Sequence, residues 1–240
     1  MKRCFWLTGL SHADFFSVNT GLILGDSETV IVDTGFNLES ARTIYDFAYY
    51  IAPNNKITTV VNLEKHYDHI FGNAYFIEKG CKIIAHRDVC LTEEELEQYK
   101  KGANDSISIT RRRENREGYL YFEGVKPFVP DRKIEKDSRL FIDGVDIEIY
   151  LAPGHTDTNL ILYEKQEKVM YVADTIYSGF LPTFSFGNVS LWKSWLSALE
   201  LIERKKPEVV VPGHGKVLIG EEIRKEVERH RELLISRIAE

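Results

Sequence analysis

Apolar runs alternate with amphipathic stretches along most of the chain, and this pattern predicts a protein of the α/β class. Residues 57–62 (ITTVVN) form a β-branched run that is typical of a buried strand. Residues 38–52 place apolar side chains at helical intervals, and Pro53 follows, where a helix should end. Residues 139–151 predict a hairpin that turns on an Asp-Gly pair.

The remaining chain continues this alternation, except in one segment. Residues 20–34 predict two strands around a Gly-Asp-Ser turn, and Thr92 with Glu95 forms a capping box that opens a helix. Two amphipathic helices are predicted near the C-terminus, at 190–204 and 221–239. The segment 103–136 shows no clear period, and its aromatic residues make it a candidate lid or interface, namely Tyr119, Tyr121, Phe122 and Phe128.

Polar side chains follow the predicted strands at the points where the strands end. Glu64 comes after 57–62, Asp174 comes directly after 168–173, and His214 follows the apolar run that ends at Val211. In layered α/β proteins, functional sites collect where the loops at strand ends converge.

These positions are dominated by residues that bind metals. The run Glu64–His69 (EKHYDH) holds four potential ligands, and His155, Asp174 and His214 follow in three separate motifs. Imidazole nitrogens and carboxylate oxygens are the ligands of hydrolytic zinc, manganese or iron sites. The pattern therefore predicts an enzyme with two metal ions. The other histidines are outside these motifs: a turn or cap role is expected for His86, an exposed position for His230, and a place near the cleft is open for His12.

Composition narrows the class of protein further. The chain has 240 residues, a net charge of -6 and a pI of about 5.7. This length suits a single domain over residues 1–240, and the acidity argues against a nucleic-acid partner. The N-terminal apolar stretch is too short for a signal peptide or a membrane span. Three cysteines without a C-x-x-C pair predict reduced thiols and a cytoplasmic location.

Taken together, the motifs resemble those of the metallo-β-lactamase-fold superfamily. That superfamily carries a His-x-His-x-Asp-His loop, and here the loop is Glu64–His69. Pro153–Thr156 (PGHT) matches the second motif, Asp174 matches the bridging aspartate, and His214 lies in the expected Pro-Gly-His-Gly context. The resemblance implies a four-layer αββα sandwich whose two halves meet near residue 130.

The resemblance also implies two metal sites. The first would use Glu64, His66 and His155, the second would use Asp68, His69 and His214, and Asp174 would bridge them. It implies a nucleophilic hydroxide between the ions, because two cations lower the pKa of a shared water. Zinc is the metal that this resemblance favours, with iron or manganese as alternatives.

Glu64 departs from the superfamily, which usually has His at this position. In one interpretation Glu64 is a ligand. Counted with Asp68, Asp174 and a hydroxide, it brings two divalent ions to neutrality and favours harder ions such as iron or manganese. In the other interpretation Glu64 turns away, and the first site is weak or empty.

Residues for substrate chemistry are less clearly marked. Asp68 and Tyr177 are the catalytic candidates. Tyr177 is chosen because lactonases of this superfamily place a tyrosine three residues after the bridging aspartate, near the substrate carbonyl. The apolar segment 179–187 (GFLPTFSFG) follows Asp174 closely. It predicts a substrate wall, with core packing or a homodimer contact as alternatives.

Three functions fit these observations. The first is metal-dependent hydrolysis of an ester-like bond in a small molecule, such as a lactone, a thioester or a β-lactam. The second is diiron-type redox chemistry, which the extra carboxylate favours, although the reductases of this superfamily carry their Glu where this chain has His66. The third is phosphodiester hydrolysis, which the acidic charge of the chain disfavours.

Overall fold

Two six-stranded β-sheets are the frame of the computed structural model, which describes residues 2–13, 16–106 and 120–240. The strands of the first sheet are β1 Cys4–Ala13, β2 Phe16–Leu24, β3 Glu28–Val32, β4 Lys56–Val61, β5 Lys82–His86 and β6 Arg132–Ile134. The strands of the second sheet are β7 Ser138–Ile142, β8 Val145–Leu151, β9 Leu160–Glu164, β10 Val169–Tyr177, β11 Val209–His214 and β12 Leu218–Ile219. Within each sheet the strands lie side by side in chain order.

Helices connect and cover these strands. They are α1 Leu38–Ile51, α2 Tyr67–Ile70, α3 Asn73–Glu78, α4 Glu93–Ser106, α5 Val189–Lys205 and α6 Glu221–Ala239. The capping box predicted for α4 is confirmed, because the Glu95 carboxylate accepts a hydrogen bond of 2.9 Å from the Thr92 amide. Among the described residues, no helix has both the length and the apolar character that crossing a membrane requires.

Three apolar clusters divide the molecule into four layers. The central cluster joins Val32 and Val61 of the first sheet to Ile147 of the second, so the two sheets pack face to face. A second cluster packs α1 and α3 against the outer face of the first sheet. The third packs α5 and α6 against the outer face of the second sheet. The predicted αββα sandwich is confirmed, and a single domain over residues 1–240 stays a prediction.

The boundary between the two halves of the sandwich lies close to the predicted position in the sequence. The first sheet ends at Ile134 and the second begins at Ser138, a few residues beyond the expected position near 130. The halves are tied together at the edge where the predicted ligands lie. The Leu160 amide donates to the Leu63 carbonyl at 2.7 Å, and the Asn19 side chain donates to the Pro212 carbonyl at 2.9 Å.

Parallel strand pairs bring several strand ends to this edge. β3 pairs with β4 in parallel, β4 pairs with β5 in parallel, and in the second sheet β10 pairs with β11 in parallel. Parallel neighbours finish at the same edge of a sheet, so the segments that follow them lie close together. This topology places the motif residues in a single region.

Two features differ from the sequence pattern. β1 is a strand although its sequence is interrupted by glycine and polar residues, because it pairs with β2 and Gly9 adopts φ 78° where the pairing register shifts. Within 103–136, Phe122 and Phe128 are buried in the cluster under the first sheet, so these two residues pack in the core rather than in a lid. Tyr119 lies outside the described residues.

Candidate metal centre

The seven predicted ligands converge into two adjoining sets. Each residue of a set offers one nitrogen or oxygen atom, and the atoms of a set all lie within 4.8 Å of one another. The first set contains Glu64, His66, His155 and Asp174, and the second contains Asp68, His69 and His214. The grouping follows the allocation that the family resemblance implies, except that Asp174, expected to bridge both sites, is grouped with the first set.

Each set draws its residues from both halves of the molecule. The loop after β4 supplies Glu64 and His66, and the short helix α2 then turns Asp68 and His69 toward the same region. The second sheet supplies His155 after β8, Asp174 within β10 and His214 at the end of β11. Neither sheet alone can build the centre.

Asp174 lies between the two sets. Its Oδ1 is 3.3 Å from His69 Nε2 and 3.2 Å from His214 Nε2, both in the second set. Its Oδ2 is 3.4 Å from His155 Nε2, in the first set. The two oxygens of one carboxylate therefore face different sets, which is the arrangement a bridging ligand needs.

Glu64 points into the centre and does not turn away. The residue is fully buried, and its Oε1 lies 2.8 Å from His66 Nδ1 and 3.4 Å from His69 Nε2. Its Oε2 lies 3.9 Å from His155 Nε2. The carboxylate thus occupies the place in the cluster where the superfamily usually has an imidazole.

Hydrogen bonds on the outer nitrogens orient three of the imidazoles. His69 Nδ1 donates to Asp33 Oδ2 at 2.8 Å, His155 Nδ1 donates to the Thr183 carbonyl at 3.1 Å, and His214 Nδ1 donates to the Ser17 carbonyl. Each contact leaves Nε2 directed into the centre, as in metal sites where a second group fixes the ring.

Asp33 is a supporting residue to which the sequence alone assigns no role. It is buried, adopts φ 62° and also accepts the Leu63 amide on Oδ1 at 2.8 Å. A left-handed backbone is costly for a residue other than glycine, so it persists only where the surrounding structure fixes it. The available sequence signal was the Val-Asp-Thr-Gly run at the end of β3.

Glycines beside His214 allow the chain to approach Asp174. A Cβ on Gly213 would lie 2.0 Å from Asp174 Oδ1, and one on Gly215, where φ is 87°, would lie 1.9 Å from the Ser178 carbonyl oxygen. Both distances are far below a van der Waals contact, so a larger residue would displace Asp174 or the strand. The Pro-Gly-His-Gly motif is thus a packing requirement of the centre.

The electrostatics of the centre favour cations. Burial lowers the pKa of His69, but the surrounding carboxylates, led by Asp68, raise it well above its ordinary value. Burial opposes ionisation of His214 too, yet Asp174 raises its pKa to about 10. Burial raises the pKa of Asp174, while His214 and His69 hold it well below its usual range. The buried carboxylates therefore create a negative field that stabilises positive charge.

The donor set fits divalent metal ions. Glu64 Oε2, Asp68 Oδ2, His69 Nε2 and Asp174 Oδ1 are buried polar atoms that make no hydrogen bond within the described residues. Polar atoms left in this state normally cost stability, and metal coordination would satisfy them together. Mixed imidazole and carboxylate donors suit zinc, iron or manganese.

Tyr177 lies directly beside these residues. Its hydroxyl donates to Asp174 Oδ2 and lies 3.3 Å from His155 Nε2, and its ring stacks on His214 at 5.0 Å between centroids. Burial and then Asp174 raise the pKa of the phenol well above its usual value. Tyr177 therefore keeps its proton at neutral pH and can act as a hydrogen-bond donor.

His230 is buried, which corrects the expectation that it is exposed. It is fully inaccessible on the inner face of α6, where its Nε2 accepts the Tyr177 amide at 3.0 Å and its Nδ1 donates to the Glu226 carbonyl at 3.0 Å. Neighbouring Arg229 donates to the Tyr177 carbonyl at 2.8 Å. Two residues of α6 thus hold both backbone polar groups of Tyr177.

The apolar segment 179–187 has two kinds of aromatic residue. Phe184 packs against Trp192 and Trp195 of α5, as core packing would require. Phe186 lies over the first set, with its ring centroid 4.3 Å from that of His66.

Elsewhere, the turn role expected for His86 is confirmed by the Asp88 amide, which donates to His86 Nδ1 at 3.3 Å. The His12 side chain lies outside the described residues.

The fold and the site together define a class of protein, namely an αββα sandwich with buried imidazoles and carboxylates at one edge. The family described as the metallo-beta-lactamase superfamily matches residues 13–214. The chain belongs to this superfamily, as its motifs predict. Among solved structures, a metallo-beta-lactamase from Pontibacter korlensis is similar, with a TM-score of 0.70, 18% identity and 96% of each chain covered.

Curated relatives show varied activities. The alpha subunit of 2,4-dinitroanisole O-demethylase from Nocardioides sp. (strain JS1661) is 28% identical, over 80% of this chain and 51% of its own length. The human acyl-coenzyme A thioesterase MBLAC2 is 20% identical, over 88% of this chain and 77% of its own length. The chain thus spans about half the length of the demethylase subunit.

Proposed function

We propose that this chain is a binuclear metal-dependent hydrolase that cleaves an ester-like bond in a small molecule, with zinc as the preferred metal. The observation that carries the proposal is the position of Asp174, whose two oxygens face two different ligand sets. One relative supports hydrolysis, since its name describes an acyl-coenzyme A thioesterase.

In this proposal Glu64, His66 and His155 would hold the first metal, Asp68, His69 and His214 would hold the second, and Asp174 would serve both. When bound, divalent ions supply a more acidic water and polarise the bond that is cleaved. The protein's own residues supply orientation. Asp33 and the backbone carbonyls fix the imidazoles, and they leave the inner nitrogens available.

Tyr177 is the proposed donor to the substrate. Its phenol donates its single proton to Asp174 Oδ2, and in this proposal that proton turns to a substrate oxygen on which negative charge develops. Asp68 is the other catalytic candidate, and its Oδ2 lies 3.6 Å from His69 Nε2 and 3.4 Å from His214 Nε2.

Metal analysis combined with an activity panel tests the function. Freshly purified and reconstituted protein should contain two metal ions per chain, and it should hydrolyse at least one member of a panel of lactones, thioesters, β-lactams and aryl esters. One metal per chain after reconstitution would contradict the binuclear assignment. Iron with oxygen- or nitric-oxide-reducing activity and no hydrolysis would favour the diiron alternative, which the buried Glu64 carboxylate keeps open.

A further inference from the structure

Phe186 is a large apolar side chain that lies against the candidate ligands and yet faces solvent. Its ring centroid is 4.3 Å from that of His66 and 5.5 Å from that of His155, while 56% of its surface is exposed. Exposed apolar surface is unremarkable when scattered, but here it is combined with direct contact to two imidazoles of the first candidate ligand set. An apolar group that reached the first ligand set would therefore meet this ring.

The backbone on both sides of Phe186 is held in place. The Thr183 carbonyl accepts from His155 at 3.1 Å, and Arg229 donates to the Phe180 carbonyl at 2.6 Å. Phe184 packs against both tryptophans of α5, and Asn188 then caps that helix. Phe186 thus projects from a segment whose backbone is held on both sides, so its exposure is fixed by the fold.

The lysine beside the first set is paired with a protein carboxylate. Lys65 lies between Glu64 and His66 in the ligand loop, and its Nζ is 2.7 Å from Asp157 Oδ1. Asp157 in turn follows His155 by two residues. The lysine of the ligand loop is therefore paired with a protein carboxylate, and an anionic substrate would have to displace that carboxylate from Lys65.

We infer that Phe186 forms the apolar wall of a substrate subsite beside the first ligand set. The substrate then carries an uncharged alkyl or aryl group next to the bond that is hydrolysed. This inference rests on the proposed function and adds the chemical class of the substrate. The occupant is the substrate itself, because Phe186 contacts the candidate ligands directly.

A series of p-nitrophenyl esters tests the subsite. For the metal-reconstituted protein, kcat/KM should be higher for the hexanoate than for the acetate. Phe186→Ala should reduce this hexanoate-to-acetate ratio by about 10-fold, since only part of the acyl chain meets the ring. Phe186→Leu should retain most of the preference. Phe141→Ala removes an equally large exposed side chain on β7 and should leave the ratio unchanged.

Binding of simple carboxylates separates this inference from the proposed function. Calorimetry on the metal-reconstituted protein should show tighter binding of hexanoate than of acetate, and Phe186→Ala should remove the difference. Hydrolysis with an unchanged ester ratio in Phe186→Ala would overturn the subsite while the function stands. Absence of hydrolysis, with a carboxylate preference that depends on Phe186, would refute the function and leave the subsite. A preference for p-nitrophenyl monosuccinate that is lost in Lys65→Ala would also overturn the apolar assignment.

Discussion

At the scale of single residues, Glu64 is the feature that distinguishes this centre. Its buried carboxylate is directed at three imidazoles, at distances of 2.8, 3.4 and 3.9 Å. With Asp68 and Asp174 it gives the centre three carboxylates. In the proposed binuclear centre, each added negative charge would lower the positive charge that two divalent ions present to a water, so Glu64 should make that water less acidic.

Replacing Glu64 tests this effect of charge. Glu64→His should raise the charge of the centre by one unit, move the acid limb of the kcat/KM profile to lower pH by roughly one pH unit, and increase affinity for zinc relative to manganese. Glu64→Gln removes the charge but keeps an oxygen donor, so the acid limb should move in the same direction with weaker metal binding. The measurements are pH-rate profiles and metal competition.

The exposed Glu97 provides a control for these variants. Its side chain is 61% exposed on α4 and pairs with Lys100, so Glu97→Gln should alter neither the pH profile nor the metal preference. If Glu64→His and Glu64→Gln both behave like this control, then Glu64 is not a ligand and the centre is held by the other six residues.

Asp174 should be the most damaging of the candidate ligands to lose. Because its two oxygens face both sets, Asp174→Ala should reduce the bound metal to one ion per chain or fewer, and kcat/KM should fall by about 10³-fold or more. Elemental analysis and steady-state kinetics measure the two effects. Asp46→Ala, at an exposed position on α1, is the matched control. Full metal content in Asp174→Ala would exclude a bridging role.

At the scale of elements, α6 supports the centre from behind. Arg229 and His230 hold the carbonyl and the amide of Tyr177, and the Tyr177 phenol lies against Asp174. Both backbone contacts come from neighbouring positions on one helix. The helix therefore holds the backbone of a candidate catalytic residue. Neither of these two hydrogen bonds involves a candidate metal ligand.

Substitution of His230 tests this positioning role. His230→Leu leaves the Tyr177 amide without its acceptor, so we expect kcat to fall by about 10-fold with a smaller change in KM, because the phenol is misplaced while the ligands remain. His230→Gln keeps an acceptor and should restore much of kcat. If Leu and Gln variants lose activity equally, or if only KM responds, His230 has a packing role alone.

The position of His230 was available in the sequence pattern. Ile223, Val227, His230 and Leu234 are all buried on α6, and their spacing is that of a single helical stripe. Charged residues flank His230 on both sides, and they led to the expectation that it is exposed. Periodicity was a better guide here than the polarity of the immediate neighbours. Asp33 and Phe186 could not be assigned this way, since their roles depend on contacts between distant segments.

At the scale of the whole molecule, the two halves meet at the edge that holds the centre. The sequence predicted most strands and helices because β-branched runs and helical spacing are local signals. It predicted the grouping of ligands through motif resemblance, since no local pattern fixes which strand ends adjoin. The backbone is left-handed at Asp33 and at Ala173, with φ of 62° and 42°. Tertiary contacts impose this conformation, and the residue types at these positions do not predict it. Cytoplasmic location, the absence of a nucleic-acid partner and a possible homodimer stay predictions.

Stability should depend on pH through His230. Burial lowers the pKa of this imidazole from 6.5 to about 4, although the Glu226 carbonyl and carboxylate beside it favour the charged form. The folded protein therefore holds a neutral His230 that the unfolded chain protonates more readily. The associated stability is complete above about pH 6.5, declines as pH falls toward 4 and is lost below it, for a total of roughly 3 kcal/mol.

Comparison of the unfolding free energies of the wild type and His230→Gln between pH 7.5 and 4 measures this contribution. The variant has no imidazole to protonate at this position, so its stability should decline less steeply, and the two curves should converge or cross as pH falls. Other groups, including the ligand residues, titrate in both proteins and cancel in the difference as long as they act independently. His86→Gln, at a histidine near the surface whose pKa is also lowered, should change the slope less. Parallel curves for the wild type and His230→Gln would mean that the buried imidazole is not protonated on unfolding in this range, and would contradict the prediction.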